Sequence, residues 1–97
     1  MRTGYAVRKV AGGKMVRVDA VFGLNLEDLT ITGDFFLHPE ETLRALEHHL
    51  IGTPLDGLKN RDRIIARELD GILRKNNALL IGIAPQDILD ALLEATR

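Results

Sequence analysis

The eleven residues ITGDFFLHPEE, at positions 31–41, decide the fold of this chain. They combine the end of an alternating strand, a glycine bend, two adjacent phenylalanines and a proline followed by two glutamates. Proline suits the first position of a helix and acidic residues favour its positive end, so we expect a helix to begin at Pro39. Because Phe35 and Phe36 are two of the three phenylalanines in the chain, we also expect this stretch to anchor the fold.

Three β-prone runs predict an antiparallel meander. The first covers residues 5–10 and ends at 11–13, and the second, residues 14–22, has its apolar side chains mainly at every other position. A three-residue break that contains glycine is typical of a hairpin turn. After a second break at 23–25, a third alternation runs over residues 29–35. Together they predict three strands with one apolar face.

The pattern after Pro39 is helical. Leu43, Leu46 and Leu50 line one side of the first predicted helix, which ends before Gly52. A second helix is expected over residues 60–75 and a third from Pro85, with buried stripes that consist of Ile65, Leu69, Ile72, Leu73, Ile88, Leu89, Leu92 and Leu93. The aliphatic run 78–83 fits either an extended buried connector or a fourth strand.

The strands precede the helices, and this segregated order predicts an α+β fold. We expect a three-stranded antiparallel sheet followed by about three helices packed on one face. At 97 residues, the chain has the length of one domain, spanning positions 1–97.

The composition argues against several classes of function. The chain has thirteen Lys and Arg against fourteen Asp and Glu, so it lacks the positive charge that attracts nucleic acid. Aromatic residues make up 4% of it, which leaves few rings to stack on bases. The absence of cysteine excludes disulfides, thiolate metal sites and a cysteine nucleophile. No apolar run reaches the ~18 residues of a membrane span, and we expect a cytoplasmic protein.

No catalytic or metal motif accompanies the predicted fold. The chain has no serine, and Gly12-Gly13-Lys14 is followed by Met15 and a strand, so it fits a hairpin turn better than a phosphate loop. A role of Lys14, with Lys9, in pairing with an anion or an acidic surface stays open.

The acidic residues and histidines around the first predicted helix are interpreted as a solvated surface. Adjacent His48 and His49 point about 100° apart on a helix and cannot share one metal ion. Glu47 belongs to the same surface in this interpretation. His38, which precedes the helix, is expected to cap it or to pack at the strand end.

Asp34 and the two phenylalanines have alternative roles. Asp34 is a tuned acid, a group that orients a ligand or, in the preferred interpretation, an acceptor for backbone amides of its own turn. Phe35 and Phe36 point to opposite sides of an extended chain. An exposed phenylalanine here would mark an interface, and the alternative is that helices cover both rings.

Residues 13–53 resemble the small C-terminal accessory domain of lipoate-protein ligases. The resemblance rests on Gly13-Lys14 opening a strand, on the bend ITGDFF at 31–36, and on the helix with Leu46-Glu47 and the ending LIG at 50–52. It continues more weakly at residues 82–88. The chain most resembles the free-standing form of this domain, the second subunit of two-chain archaeal-type ligases.

The resemblance implies an accessory function in a heterodimer. The large subunit would hold ATP, Mg²⁺ and lipoate or a related acyl acid, while this chain, without a cofactor or catalytic residue of its own, would be needed to form lipoyl-adenylate. Lipoyl acceptor domains would be indirect partners. The candidate contact residues are Gly12, Gly13, Lys14, Gly33, Asp34, Phe35, Phe36 and His38.

Two rival interpretations remain. In the first, the chain is a stand-alone homo-oligomeric module that binds a small anion or a peptide. In the second, it is an independent enzyme that uses Asp34 and His38.

Overall fold

Three antiparallel strands form the first half of the fold. A computed structural model describes all residues, Met1–Arg97. Strand β1 (Arg2–Lys9), β2 (Met15–Phe22) and β3 (Leu26–Gly33) pair in the order β1-β2-β3, with β2 in the centre. The predicted meander is therefore confirmed, although β3 begins three residues before the predicted alternation.

The alternation of β2 determines which face of the sheet is buried. Val16, Val18, Ala20 and Phe22 are all buried, while the residues between them are exposed or half-buried. A strand places successive side chains on opposite faces, so this one face carries the central part of the core. Twenty-two buried apolar residues form one continuous cluster, dominated by Leu, Ile, Val and Ala.

Four helices follow, and the confirmed fold class is α+β. They are α1 (Thr42–Leu50), α2 (Leu55–Asn60), α3 (Asp62–Lys75) and α4 (Pro85–Ala95). Helix α4 packs on β1 and β2, α1 packs on β3, and α3 packs on α4. None of these helices has the length and apolar character needed to cross a bilayer.

The first helix begins at Thr42, so the predicted start at Pro39 is wrong. Amide hydrogen bonds from Thr42 to the carbonyl of Pro39 (3.1 Å) and from Leu43 to that of Glu40 (3.0 Å) form a tighter turn first. His38 still belongs to a strand, so the next three residues make the change of direction from strand to helix. Glu40 and Glu41 therefore precede the helix instead of occupying its first turn.

The predicted helix over residues 60–75 is α3 alone, with a separate short helix before it. Arg61 leaves the helical region of backbone space (φ −128°, ψ 23°) and separates α2 from α3. This break allows Leu58 of α2 and Ile65 of α3 to be buried in the same core. Gly71 lies within α3 without interrupting it.

A two-stranded ribbon joins the two halves of the chain. Strand β4 (Phe36–His38) and strand β5 (Leu79–Ile81) pair antiparallel, with Phe36 opposite Ile81 and His38 opposite Leu79. Of the two predictions for the run 78–83, a buried connector or a further strand, the strand is the one found. Its partner is the segment after the glycine bend, and the ribbon is separate from the meander.

Candidate functional site

The two segments singled out in the sequence meet at one end of the sheet. Val16 of β2 pairs with Gly33 of β3, which brings Met15 beside Asp34. The Asp34 amide donates to the Met15 carbonyl at 3.3 Å, and the Met15 amide donates to the Asp34 carboxylate at 2.6 Å. We call residues 12–15 and 33–38, which include all eight candidate contact residues, the bend site.

Gly12 and Gly13 form the predicted hairpin turn. The Val10 amide donates to the Lys14 carbonyl at 2.7 Å, and the Gly13 amide donates to the Val10 carbonyl at 3.0 Å. Gly12 and Gly13 have φ values of 97° and 90°, a region that favours glycine. These two glycines are therefore explained by backbone conformation alone, and Lys14 leads into a strand instead of a helix.

Asp34 accepts a backbone hydrogen bond, as the preferred interpretation predicted. The donor is the amide of Met15 on the neighbouring strand, whereas a donor within its own turn was expected. The carboxylate thus extends the β2–β3 pairing by one residue. Asp34 and His38 form no hydrogen bond with each other, so the geometry gives no support to an acid–base pair.

Gly33 is required because two groups occupy the space beside it. A Cβ at this position would overlap the carbonyl oxygen of Met15 and would lie 2.7 Å from the Phe35 ring. The bend is therefore specified by packing: the aromatic ring folds back over the glycine. Phe35 is half-buried and packs against the edge of the core.

Of the two alternatives for the phenylalanines, the structure shows one ring packed against the core and the other exposed. Phe22 is the one fully buried aromatic ring, and it lies among the sheet residues instead of in the bend. Phe36 is 51% exposed, while the next residue, Leu37, is buried. Because β4 directs alternate side chains inward and outward, the inward position falls on Leu37 and Phe36 faces solvent.

The outward side of the ribbon forms an apolar surface. Leu79 and Ile81 are 55% and 51% exposed, and each is paired with an exposed residue of β4, namely His38 and Phe36. The Phe36 and His38 rings are stacked with centroids 6.4 Å apart. We call these four side chains the ribbon face. Adjacent exposed apolar groups of this kind mark interaction surfaces.

A cleft of about 380 Å³ lies beside the ribbon face. It is bounded by the end of β3, by β4 and by the start of α1, and its lining includes Phe35, Phe36, His38 and Leu43. Pockets of this size accept a small ligand or the side chains of a partner. The bend site therefore offers a concave surface next to a flat apolar one.

Glu47 has a structural function that the sequence interpretation missed. It was assigned to a solvated surface, but its side chain is buried and Oε2 accepts the amide hydrogen of Ile31 at 2.8 Å. Strand β3 is the edge of the meander, so this carboxylate satisfies a backbone donor there and fixes α1 against the sheet. The burial of Glu47 could have been predicted from its spacing, because position 47 lies within the apolar stripe of Leu43, Leu46 and Leu50.

We expect Glu47→Ala to lower the free energy of unfolding by about 1–3 kcal/mol, because the buried Ile31 amide then loses its acceptor. Glu47→Gln should lose less, since its amide oxygen keeps the hydrogen bond. Urea unfolding followed by circular dichroism measures both. Glu41→Ala, at an exposed residue without a capping hydrogen bond, serves as the control. Equal stability of Glu47→Ala and the control would contradict the assigned function.

The histidine surface is in part an interhelical contact. His49 Nε2 lies 2.8 Å from Glu68 Oε1, which connects α1 to α3. His48 is exposed. The interpretation as a solvated surface therefore holds for His48, while His49 also contributes to packing between helices.

The helix-free face of the sheet carries a polar cluster that no sequence pattern predicted. Arg17 donates two hydrogen bonds to Asp19, at 3.0 and 2.9 Å, and its guanidinium lies 4.5 Å from the centroid of the Tyr5 ring. The hydrogen bonds from Arg17 hold the pKa of Asp19 below its usual value, and they raise the pKa of Arg17. Alternation within β2 places Arg17 and Asp19 on one face, and the pairing of Tyr5 in β1 with Asp19 adds the ring.

Comparison with known proteins links this fold to lipoylation. No protein-family model and no curated protein matches the sequence. Among solved structures, the chain is similar to one from an archaeal lipoylation system, a bi-partite lipoate protein ligase and its E2 lipoyl domain from Thermoplasma acidophilum. The TM-score is 0.64 at 25% identity, and the match covers 95% of this chain and 93% of the other. Since these shares are nearly equal, the two chains are similar in length, and their folds correspond almost end to end.

Proposed function

We propose that this chain is the small accessory subunit of a two-chain lipoate-protein ligase. It acts with a larger catalytic subunit in the ATP-dependent activation of lipoate to lipoyl-adenylate, before transfer to a lysine of a lipoyl acceptor domain. The end-to-end structural correspondence with a chain of the archaeal system carries this proposal. The resemblance of residues 13–53 to ligase accessory domains supports it from the sequence alone.

The chemistry of the bend site agrees with an accessory function. Gly12 and Gly13 form a hairpin turn, and the carboxylate of Asp34 is engaged by a backbone amide. The chain has no serine or cysteine that could act as a nucleophile. In this proposal, ATP, Mg²⁺ and lipoate are held by the large subunit, and this chain supplies contacts that complete the reacting geometry.

The bend site is our candidate for the contact with the large subunit. Attack of a carboxylate on the α-phosphate requires orientation, charge neutralisation and exclusion of water. A docked subunit promotes all three when it holds a loop of its partner closed. The exposed Phe36 and Ile81, with the cleft beside them, provide the apolar surface that such docking needs.

The rival function, a homo-oligomeric binding module, is favoured by the same exposed ribbon face. Phe36 and Ile81 would then be covered by a second copy of this chain. Light scattering coupled to size exclusion separates the two proposals. The accessory subunit stays monomeric alone and forms a one-to-one complex with a ligase-like chain, whereas the module self-associates without it.

The decisive test is lipoate-dependent ATP–pyrophosphate exchange by the candidate large subunit, with and without this chain. We expect exchange to require both chains and to saturate at one-to-one stoichiometry, and neither chain to be active alone. Octanoate in place of lipoate establishes which acyl acid is used. Equal exchange in the absence of this chain, or exchange by this chain alone, would overturn the proposed function.

A further inference from the structure

The side chain of Lys14 lies directly across Gly82. A Cβ placed on Gly82 would be 2.8 Å from Cγ of Lys14, 3.4 Å from its Cβ and 3.5 Å from its Cδ. Gly82 also has φ +103°, where other residues are strained. The alkyl stem of the lysine therefore rests on the bare backbone of the residue that follows β5, and any side chain there would displace it.

Hydrogen bonds hold the backbone around Lys14. The Lys14 carbonyl accepts from the Val10 amide at 2.7 Å, and the next amide, that of Met15, donates to Asp34 at 2.6 Å. The hairpin turn and the bend thus hold the backbone at Lys14, and the residue after β5 contacts its alkyl stem. The first two of these segments have a sequence signature, whereas the contact of Gly82 with Lys14 appears only in the folded chain.

The charge of Lys14 has no counterpart within the chain. No carboxylate oxygen lies within 4.0 Å of its ammonium, although Asp34 is close in the sheet. One oxygen of Asp34 accepts the Met15 amide instead. Lys14 is also exposed, so its ammonium is free to meet an anion from outside the chain.

We infer that Gly82 is a positioning residue for Lys14, and that the Lys14 ammonium binds an anionic group of the reactants held by the large subunit. This inference rests on the proposed function. The anion is either a phosphate of ATP or the carboxylate of the acyl acid. Both are oxyanions that a lysine binds as a point charge.

The reaction explains why a fixed cation is useful. A carboxylate oxygen attacks the α-phosphorus, the bond from that phosphorus to the bridging oxygen breaks, and pyrophosphate leaves with the electron pair. Two negatively charged reactants must approach each other, and charge builds on the departing group. A cation that is already in place stabilises this arrangement without reorganisation.

The test is pyrophosphate exchange by the complete two-chain enzyme that carries Lys14→Met. With this chain at saturating concentration, so that any change in subunit affinity does not enter, we expect kcat/KM to fall about tenfold or more, the effect of removing one charged hydrogen bond. Lys14→Arg should restore part of the loss. A higher KM for ATP identifies the phosphate as the anion, whereas a higher KM for lipoate identifies the carboxylate. Lys59→Met, at an exposed residue of α2, is the matched control.

Gly82→Ala tests the positioning step, with Gly82→Asn as the second variant if alanine prevents folding. Each variant should slow exchange when Lys14 is present. In the Lys14→Met background it should slow exchange little further, because Gly82 acts only through the Lys14 ammonium. Additive effects would overturn the assignment of Gly82. Wild-type exchange by Lys14→Met would overturn the whole inference and leave the proposed function intact, whereas failure of the wild-type chain to stimulate exchange would overturn both.

Discussion

We expect Phe36→Asp to weaken binding of the large subunit by about 30-fold or more. The ring is half exposed within the ribbon face, next to Ile81 and stacked on His38, so docking would bury it among apolar neighbours. Aromatic residues in such positions contribute about 2 kcal/mol or more to binding, and each 1.4 kcal/mol is a factor of ten. Isothermal titration calorimetry of the two purified subunits measures the change.

Leu24→Asp is the matched control for this prediction. Leu24 is 91% exposed and lies in the turn between β2 and β3, at the far end of the sheet from the ribbon. The substitution introduces the same charge and should leave binding unchanged. Circular dichroism verifies that both variants are folded. Equal affinities of Phe36→Asp and the wild-type chain would remove the ribbon face from the contact.

The meander and the long helices were predictable because their signals are local. In β2, Val16, Val18, Ala20 and Phe22 alternate with less buried residues, and no other element has to be known to recognise a half-buried strand. The stripe of Ile65, Leu69 and Leu73 in α3 is equally self-contained. The glycine-containing breaks at 11–13 and 23–25 fix the approximate ends of the strands.

The ribbon was not predictable in the same way. Strands β4 and β5 have three residues each, too short for periodicity to show, and each is defined by pairing with a segment far away in the sequence. The start of α1 was misplaced for the same reason. His38 is held in a strand by Leu79, and this distant pairing overrides the preference of Pro39 for a first helical position.

The bend site was half predictable. The hairpin turn and the glycine bend each have a sequence signature, and the register of β2 and β3 brings them together. Glu47 and Gly82 were missed because their functions depend on contacts between distant segments. A glutamate on a helix and a glycine after an aliphatic run have ordinary surroundings in the sequence, and only the folded chain places them against Ile31 and Lys14.

Gly4, like Glu47 and Gly82, has a structural function that depends on a distant segment, in this case the end of α4. It lies in β1, where a Cβ would overlap the carbonyl oxygen of Ala95 and would be 3.3 Å from the Phe22 ring. The end of α4 therefore rests on the bare backbone of the first strand. Arg2 adds a second contact there, because its guanidinium donates to the carbonyl of Arg97 at 3.0 Å.

We therefore expect Gly4→Ala to lower the free energy of unfolding by about 1–3 kcal/mol, the usual cost of overpacking, because the end of α4 must move away from β1. Gly71→Ala is the matched control and should raise it by about 0.5–1 kcal/mol, because Gly71 lies inside α3 with open space beside it. For a domain of this size, 1 kcal/mol corresponds to a shift of about 4–8 °C in Tm, so calorimetry should show opposite shifts. If Gly4→Ala were stabilised like Gly71→Ala, the close contact between β1 and the end of α4 would be refuted.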